Sequence, residues 1–392
     1  MDKKVVRYTI AGAAAVIVFL IAVFMYRYAT RNAIEILVRN KKMINVLIEG
    51  NNVFNDDRHR FFAVLSVNVE SKKIGITFIP PSYKIRLNRK GTSFKRIDEL
   101  ESGSFTRISE SLGHDLKMYV PFYIELYSPD VKRIVDLIEG VDLFILDQAK
   151  SIPGAKIGLN YYDGEKVVEY INMVEGSSIF KKYDRIQDIL YTLYYNRDHY
   201  KKFTGSDFVL EAVKKIKTNL LDQEVLSLLK YMYDDNELMC TLLPGSVDDR
   251  GYYIVDDIAY KLYEKEFLTK LVLGDAPDKS ASVKVKILNG TSVPGLAKKM
   301  RNILNREGLN VVEFGTSPYQ FMDATVVINQ NGDMSSVRRV AEITGINKIY
   351  HIVDSMQLNS ALIIIGKDYL QGGAQNPKNN AQTGQDEGQD NE

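Results

Sequence analysis

Residues 283–315 read VKVKILNGTSVPGLAKKMRNILNREGLNVVEFG. VKVKIL (283–288) and LNVVEF (309–314) read as strands on either side of a helix over 294–306. Asn289-Gly290-Thr291-Ser292 lies between the first strand and Pro294, so Thr291 or Ser292 is placed to cap the helix and the proline suits its first turn. The loop has neither a Gly-x-Gly-x-x-Gly nor a Walker pattern, so capping rather than nucleotide binding is its expected role. The pattern continues with a strand over 324–329 (ATVVIN), a helix over 335–344, a short strand near 349–352 and a strand over 361–366 (ALIIIG). The order β-α-β-β-α-β predicts a small α+β domain over 283–369 of the split βαβ, ferredoxin-like kind, with two helices on one face of an antiparallel sheet.

Upstream, LGDAPDKSAS has the composition of a linker, expected over 271–282. Before it, residues 43–270 read as a larger α/β domain with a mixed sheet and flanking helices. INVLI (44–48), 61–69 and 73–79 are strand-like, and Pro80-Pro81 stops the third because proline cannot donate to a ladder. Helices are expected near 108–112, ending at Gly113, through VKRIVDLIEG with Gly140 as its stop, over DGEKVVEYIN and YDRIQDILYTLYY, across 206–232 and over 256–268.

Residues 8–25 (YTIAGAAAVIVFLIAVFM) carry no charge. As a helix they rise about 27 Å, close to the thickness of a bilayer's hydrocarbon. Residues 1–28 therefore read as a short cytoplasmic stub and an uncleaved transmembrane anchor, followed by a polar juxtamembrane stretch over 29–42. No convincing cleavage site follows the run. Residues 370–392, rich in Gln, Asn, Gly and Asp, are expected to be disordered.

Charge is balanced, with 51 basic and 50 acidic residues, which gives no footprint of a nucleic-acid binder. The one cysteine, Cys240, lies in the apolar run LMCTLL and reads as a core residue, and the four histidines lack metal-ligand spacing.

An ordered series of segments resembles the LytR-CpsA-Psr family. INVLIEGNN is similar to its first strand and Gly-Ser-Asp loop, and RHRFFAVLSVN to its Arg-Ser-Asp segment. ITFIPPSYKI resembles a strand that ends Ile-Pro-Arg-Asp, VDLIEGVDLFI a strand entry, NYYDGEKVVEYIN a Tyr-hydrophobic-Arg helix and YDRIQDIL the Arg-Ile-x-Arg-Gln helix. LLPG followed by YYIVDD resembles a later segment, and residues 283–315 resemble the opening of the LytR C-terminal domain. The resemblance implies a single-pass protein of the cytoplasmic membrane, N-terminus inside and domains outside. Its relatives are phosphotransferases that move a glycopolymer from a polyprenyl-pyrophosphate carrier to the cell wall. Arginines hold the pyrophosphate, because two phosphates need a bidentate cationic cradle, and carboxylates hold a magnesium ion, a hard, oxygen-seeking cation.

At those charged positions the chain departs from the pattern. Asn52 and Phe54 stand where the first loop carries Asp and then Arg. Arg58 is kept, Arg60 stands where a carboxylate belongs, and Asp57 lies nearby. Pro81 and Ser82 replace Arg and Asp, Asn172 replaces an arginine, Arg185 is kept, and Asp188 and Ile189 replace the second Arg and the Gln. Arg58, Arg60 and Arg185 are thus the candidate substrate-binding residues, and Asp57, Arg58 and Arg185 the candidates for any catalysis. The expectation is a domain that has lost ordinary family catalysis and binds wall polymer, peptidoglycan, a polyprenyl-phosphate-linked glycan or an envelope partner. The alternative is an active phosphotransferase using Asp56, Asp57, Arg58, Arg60 and Arg185 with Mg²⁺. No cofactor and no nucleic-acid partner are otherwise expected. The basic run KIRLNRKGTSFKR (84–96) reads as an exposed hairpin or a patch for anionic headgroups, and Tyr191, Tyr194, Tyr195 and Tyr200 as core packing or a sugar or lipid contact.

Overall fold

The computed structural model describes residues 32–54, 60–88, 92–146, 152, 154–173, 178–203, 205–234, 236–274, 283–319, 322–355, 357 and 359–371. The apolar run 8–25, most of the linker and the polar tail beyond residue 371 lie outside them. Among the described residues no helix is long and apolar enough to cross a membrane.

The chain opens with α1 (Ala33–Arg39) and the strands β1 (Ile44–Asn51), β2 (Phe61–Asn68) and β3 (Lys73–Ile79). The hairpin β4 (Lys84–Arg86) and β5 (Phe94–Arg96) leads to α2 (Phe105–Asp115), β6 (Phe122–Tyr127), α3 (Ser128–Leu137), β7 (Val141–Ile145) and β8 (Gly158–Tyr162). Then come α4 (Gly164–Asn172), α5 (Ile179–Tyr195), α6 (Ser206–Val213), β9 (Lys217–Thr218), α7 (Asp222–Tyr233), β10 (Glu237–Leu242), β11 (Ser246–Val247) and β12 (Tyr253–Ile254). The helix α8 (Asp257–Tyr263) passes through a π-helical stretch (Glu264–Leu268) into α9 (Thr269–Leu273).

A six-stranded mixed sheet of order β10-β3-β2-β1-β6-β9 forms the frame. Its central strands are buried on both faces, as strands between two helical layers must be. Alternation sends Val46 and Ala63 to one core and their neighbours Leu47 and Val64 to the other. β3 ends at Ile79, before Pro80-Pro81, and α3 ends before Glu139 and Gly140, both at positive φ. Two helix expectations are corrected. α2 continues through Gly113 to Asp115, and 206–232 is broken by β9, where the Thr218 hydroxyl donates to Tyr123 O and the Asn219 amide to Pro121 O.

The smaller unit contains β13 (Lys284–Asn289), α10 (Leu296–Arg306), β14 (Asn310–Thr316), β15 (Val326–Asn329), α11 (Met334–Thr344), β16 (Ile349–His351) and β17 (Ala361–Ile365). The α/β class and the order of elements follow the sequence, but the strand pairing corrects the ferredoxin-like expectation. The sheet order is β14-β13-β17-β15-β16, and only β15 and β17 are antiparallel. Each helix joins two neighbouring parallel strands, and the wholly buried β17 inserts between β13 and β15. β15 runs opposite to β13, so right-handed crossovers in opposite directions leave both helices on one face, where they touch. The expected caps are also corrected. α10 starts at Leu296 behind a left-handed Gly295, and Asn289 organises the preceding turn by donating to Val293 O and accepting from Thr291 N.

The two units pack against each other. Phe144 stacks on Tyr350 at 4.3 Å, and His351 lies against Tyr191 and Tyr195. Gly332, at φ +81°, passes so close to Tyr191 that a Cβ there would lie 2.6 Å from the hydroxyl. Beside this seam a cavity of about 360 Å³ is lined by Met239, Cys240, Phe267, Lys270, Asn331 and Asp333, among others. Burial pushes the Cys240 thiol up to about 12, which suits an inert core residue.

Candidate functional site

Strands β1 and β3 deliver the candidate positions to one end of the sheet, next to α4 and α5. Asn52 sits just beyond β1 at φ +55°, a left-handed conformation that asparagine tolerates better than most residues. Its identity therefore has a backbone reason. Phe54, in the place of an arginine, is 2% exposed and packs edge-on against Phe61 and Tyr183, with Phe78 completing the group. Tyr183 donates to Ile79 O, which closes the aromatic cluster over the end of β3. Pro81 and Ser82 serve the backbone: Pro81 O accepts from Asp98 N and Ser82 O from Tyr253 N. The Asn172 amide donates to Val53 O and Val168 O, tying α4 to the end of β1, and accepts from Lys182. Ile189 is core. Asp56, Asp57 and Arg58 lie outside the described residues.

Arg60 is placed beside Glu49 at 2.5 Å and also donates to the carbonyls of Ile97, Asp98 and Leu100. Glu49 pairs in register with Glu125 on β6, so two buried carboxylates stand side by side. Burial raises Glu49, and Arg60 works against that rise. Burial also pushes Glu125 up, but Lys217, Ser102 and Tyr127 together hold it below its usual range. This carboxylate pair is neutralised by the protein's own cations, Arg60 and Lys217. Such a donor set does not suit magnesium, which needs uncommitted oxygens. Among the described residues no group of three or more His, Cys, Asp or Glu could hold a metal.

Arg185 is buried, at 5% exposure, on the face of α5 toward the smaller unit. It donates to the Tyr170 hydroxyl at 2.8 Å, pairs with Asp188 at 2.8 Å and reaches Val353 O of the other unit at 3.4 Å. Asp188 accepts from Tyr170 and from Val353 N. Burial pushes the Asp188 carboxyl up to about 7, against the pull of Arg185, Tyr170 and the Val353 amide. One turn away, burial raises Asp184 to about 6 while it accepts from Ser355 N, and Lys181 pairs with Asp354 at 2.6 Å. His351 is held neutral by burial, pushed down to about 3. Lys181, Asp184 and the 353–355 segment were not singled out in the sequence. The spacing of Lys181 and Lys182 with Arg185 along one helix face was a signal, whereas the docking segment left none.

The structure thus gathers Asn52, Phe54, Pro81, Ser82 and Asn172 around one end of the sheet, and sets Arg60 and Arg185 in two separate networks. The 84–96 hairpin is paired locally, with Arg86 on Asp115 and Arg96 on Asp98. The tyrosines Tyr194, Tyr195 and Tyr200 donate to backbone carbonyls, and Tyr191 is fully buried, so this stretch packs the core.

Fold and site together define a chain of two mixed α/β sheets whose charged positions at this end are bonded to its own side chains and carbonyls. Residues 282–369 match the family described as LytR cell envelope-related transcriptional attenuator, so the smaller unit is a LytR C-terminal domain. Solved structures similar to the chain include the Lin1025 protein from Listeria innocua, 16% identical, covering 59% of this chain and 99% of that one with a TM-score of 0.46. TagV of B. subtilis is 18% identical, covering 60% and 99%, with a TM-score of 0.45. A LytR-CPS2A-psr family protein, YwtF (TagT), with bound octaprenyl pyrophosphate lipid, is 14% identical, covering 59% and 90%, with a TM-score of 0.44. No curated protein matches the chain.

Proposed function

We propose that this chain is a membrane-anchored, extracytoplasmic LytR-CpsA-Psr-type protein of the cell envelope that binds wall polymer or a lipid-linked intermediate without ordinary family catalysis. One observation carries the second half of that reading. Arg185, the described one of the two arginines that the resemblance keeps for a pyrophosphate, already bonds to Asp188, Tyr170 and the Val353 carbonyl, and Arg60, which stands where the resemblance places a carboxylate, is tied to Glu49 and main-chain carbonyls. Where the family places a third, Phe54 is core. Stabilising the charge of a transferring phosphoryl group requires preorganised cations aimed at it, and cations committed to other partners supply little of that. The envelope assignment is supported by the ordered sequence series and by the LytR C-terminal domain.

The test is pyrophosphate release from a polyprenyl-pyrophosphate lipid with magnesium, using the full chain beside Arg58→Ala and Arg185→Ala. No turnover in any of the three is the expected result. Turnover that depends on either arginine overturns the non-catalytic reading.

A further inference from the structure

We infer that the solvent face of α10 is a binding surface for an anionic, phosphodiester-bearing wall polymer. α10 presents Lys298, Lys299 and Arg306 in exposed positions, with Arg301 half-buried beside them and Asn302 and Asn305 exposed between. At 100° per residue these six positions occupy one continuous arc, and from 298 to 306 they rise about 12 Å. The helix has no acid over Leu296–Arg306. Among the described residues none of its four cations has an ion pair within 4.0 Å, and the nearby acid Glu313 is paired with Lys286. Glu307, just past the helix end, is bonded through its carbonyl by Arg339 of α11, which brings a further cation alongside.

This contrasts with the other basic run, where Arg86 and Arg96 on the 84–96 hairpin each have a carboxylate. Like charges on one helix face repel and destabilise it, so the pattern works against the fold and favours an external counter-charge. Arg301 is held over the Phe314 ring at 4.3 Å, which fixes its planar guanidinium at the rim of this face. Phe314 and Val312 lie partly exposed on the neighbouring edge strand β14, an apolar shelf for the carbon face of a sugar. Phosphodiesters interrupted by sugar or polyol units fit cations and amides beside an aromatic edge. The choice of a wall polymer over another polyanion rests on the extracytoplasmic reading above.

The experiment measures binding of the full chain to a poly(glycerol phosphate) polymer and to an uncharged polysaccharide of similar length, at low and high salt. The variant Lys298→Ser/Lys299→Ser/Arg306→Ser changes only exposed side chains. Its folding is checked by circular dichroism, and Lys84→Ser/Arg86→Ser serves as the control. Expected are salt-sensitive binding to the charged polymer, a loss of about tenfold or more in the triple variant, and no loss in the control. Undiminished binding by the folded triple variant, or equal binding to the uncharged polymer, overturns the proposal. Equal affinity for duplex DNA overturns the assignment to a wall polymer. Because the readout is polymer binding, it is independent of the pyrophosphate-release assay, and either reading can fail while the other stands.

Discussion

Arg60 and Arg185 are alike at first sight. Each is paired with a carboxylate and bonded to main-chain carbonyl oxygen, Arg185 buried and Arg60 half-buried. They differ in where the partners come from. Arg60 is held within one unit, by Glu49 on β1 and the carbonyls of residues 97, 98 and 100. Arg185 is held partly across the seam, by Val353 of the smaller unit. The carboxylates differ too. Glu49 has another carboxylate, Glu125, paired beside it in register, whereas Asp188 is wholly buried, and burial keeps its proton up to about 7 against the donors Arg185, Tyr170 and the Val353 amide. The lesson is that the same residue type at two family positions is a strut of one domain in the first case and a rivet between two in the second.

The largest expected effect that tests this comparison is Arg60→Met. It leaves Glu49 buried without its cation, and a loss of about 3–5 kcal/mol is expected in equilibrium denaturation. Arg185→Met is expected to cost less, about 1–3 kcal/mol, because Asp188 can take up a proton near neutrality when its partner is gone. Equal losses in the two variants break the comparison. Acidification sharpens it further. Asp184 and Asp188 titrate at about 6 and about 7 in the folded chain, above the ordinary 3.8. Between those limits the folded state binds more protons than the unfolded one, so this contribution is lost as pH rises through the folded values. His351, held neutral down to about 3, works the other way below its ordinary 6.5, so the test is a difference between variants: between about pH 8 and about pH 5 the thermal midpoint should gain more in the native sequence than in Asp188→Asn. The smallest effect concerns the backbone: Asn52→Val should destabilise by about 1–2 kcal/mol because of the positive φ, and Asn52→Gly should be near neutral in the same assay.

Much of this architecture could be read from the chain. β-rich runs gave β1 and β2, alternation gave β3, Pro80-Pro81 and Gly140 gave the ends of β3 and α3, and the helical pattern of YDRIQDILYTLYY gave α5. Strand partnership was not legible. ALIII has the same wholly apolar pattern at the centre of a sheet whichever neighbours it takes, so β17 between β13 and β15 was decided by tertiary packing. The substitutions at the family positions were visible, but their consequences were not. Nothing around Phe54 announced Phe61 and Tyr183 as ring partners, and nothing around Arg185 announced a contact with Val353, 168 positions away. Local signals name what a residue is suited to, and only the closed fold decides which partner takes it.

Gly332 carries a consequence of its own. The backbone there runs against the hydroxyl of the fully buried Tyr191, where even a methyl group has no room. An alanine would act as a chock between the units, forcing Tyr191 or the turn at residue 332 to give way while leaving every charge in place. The fit of one half of the molecule to the other thus hinges on a missing carbon atom as much as on any of the ions around it.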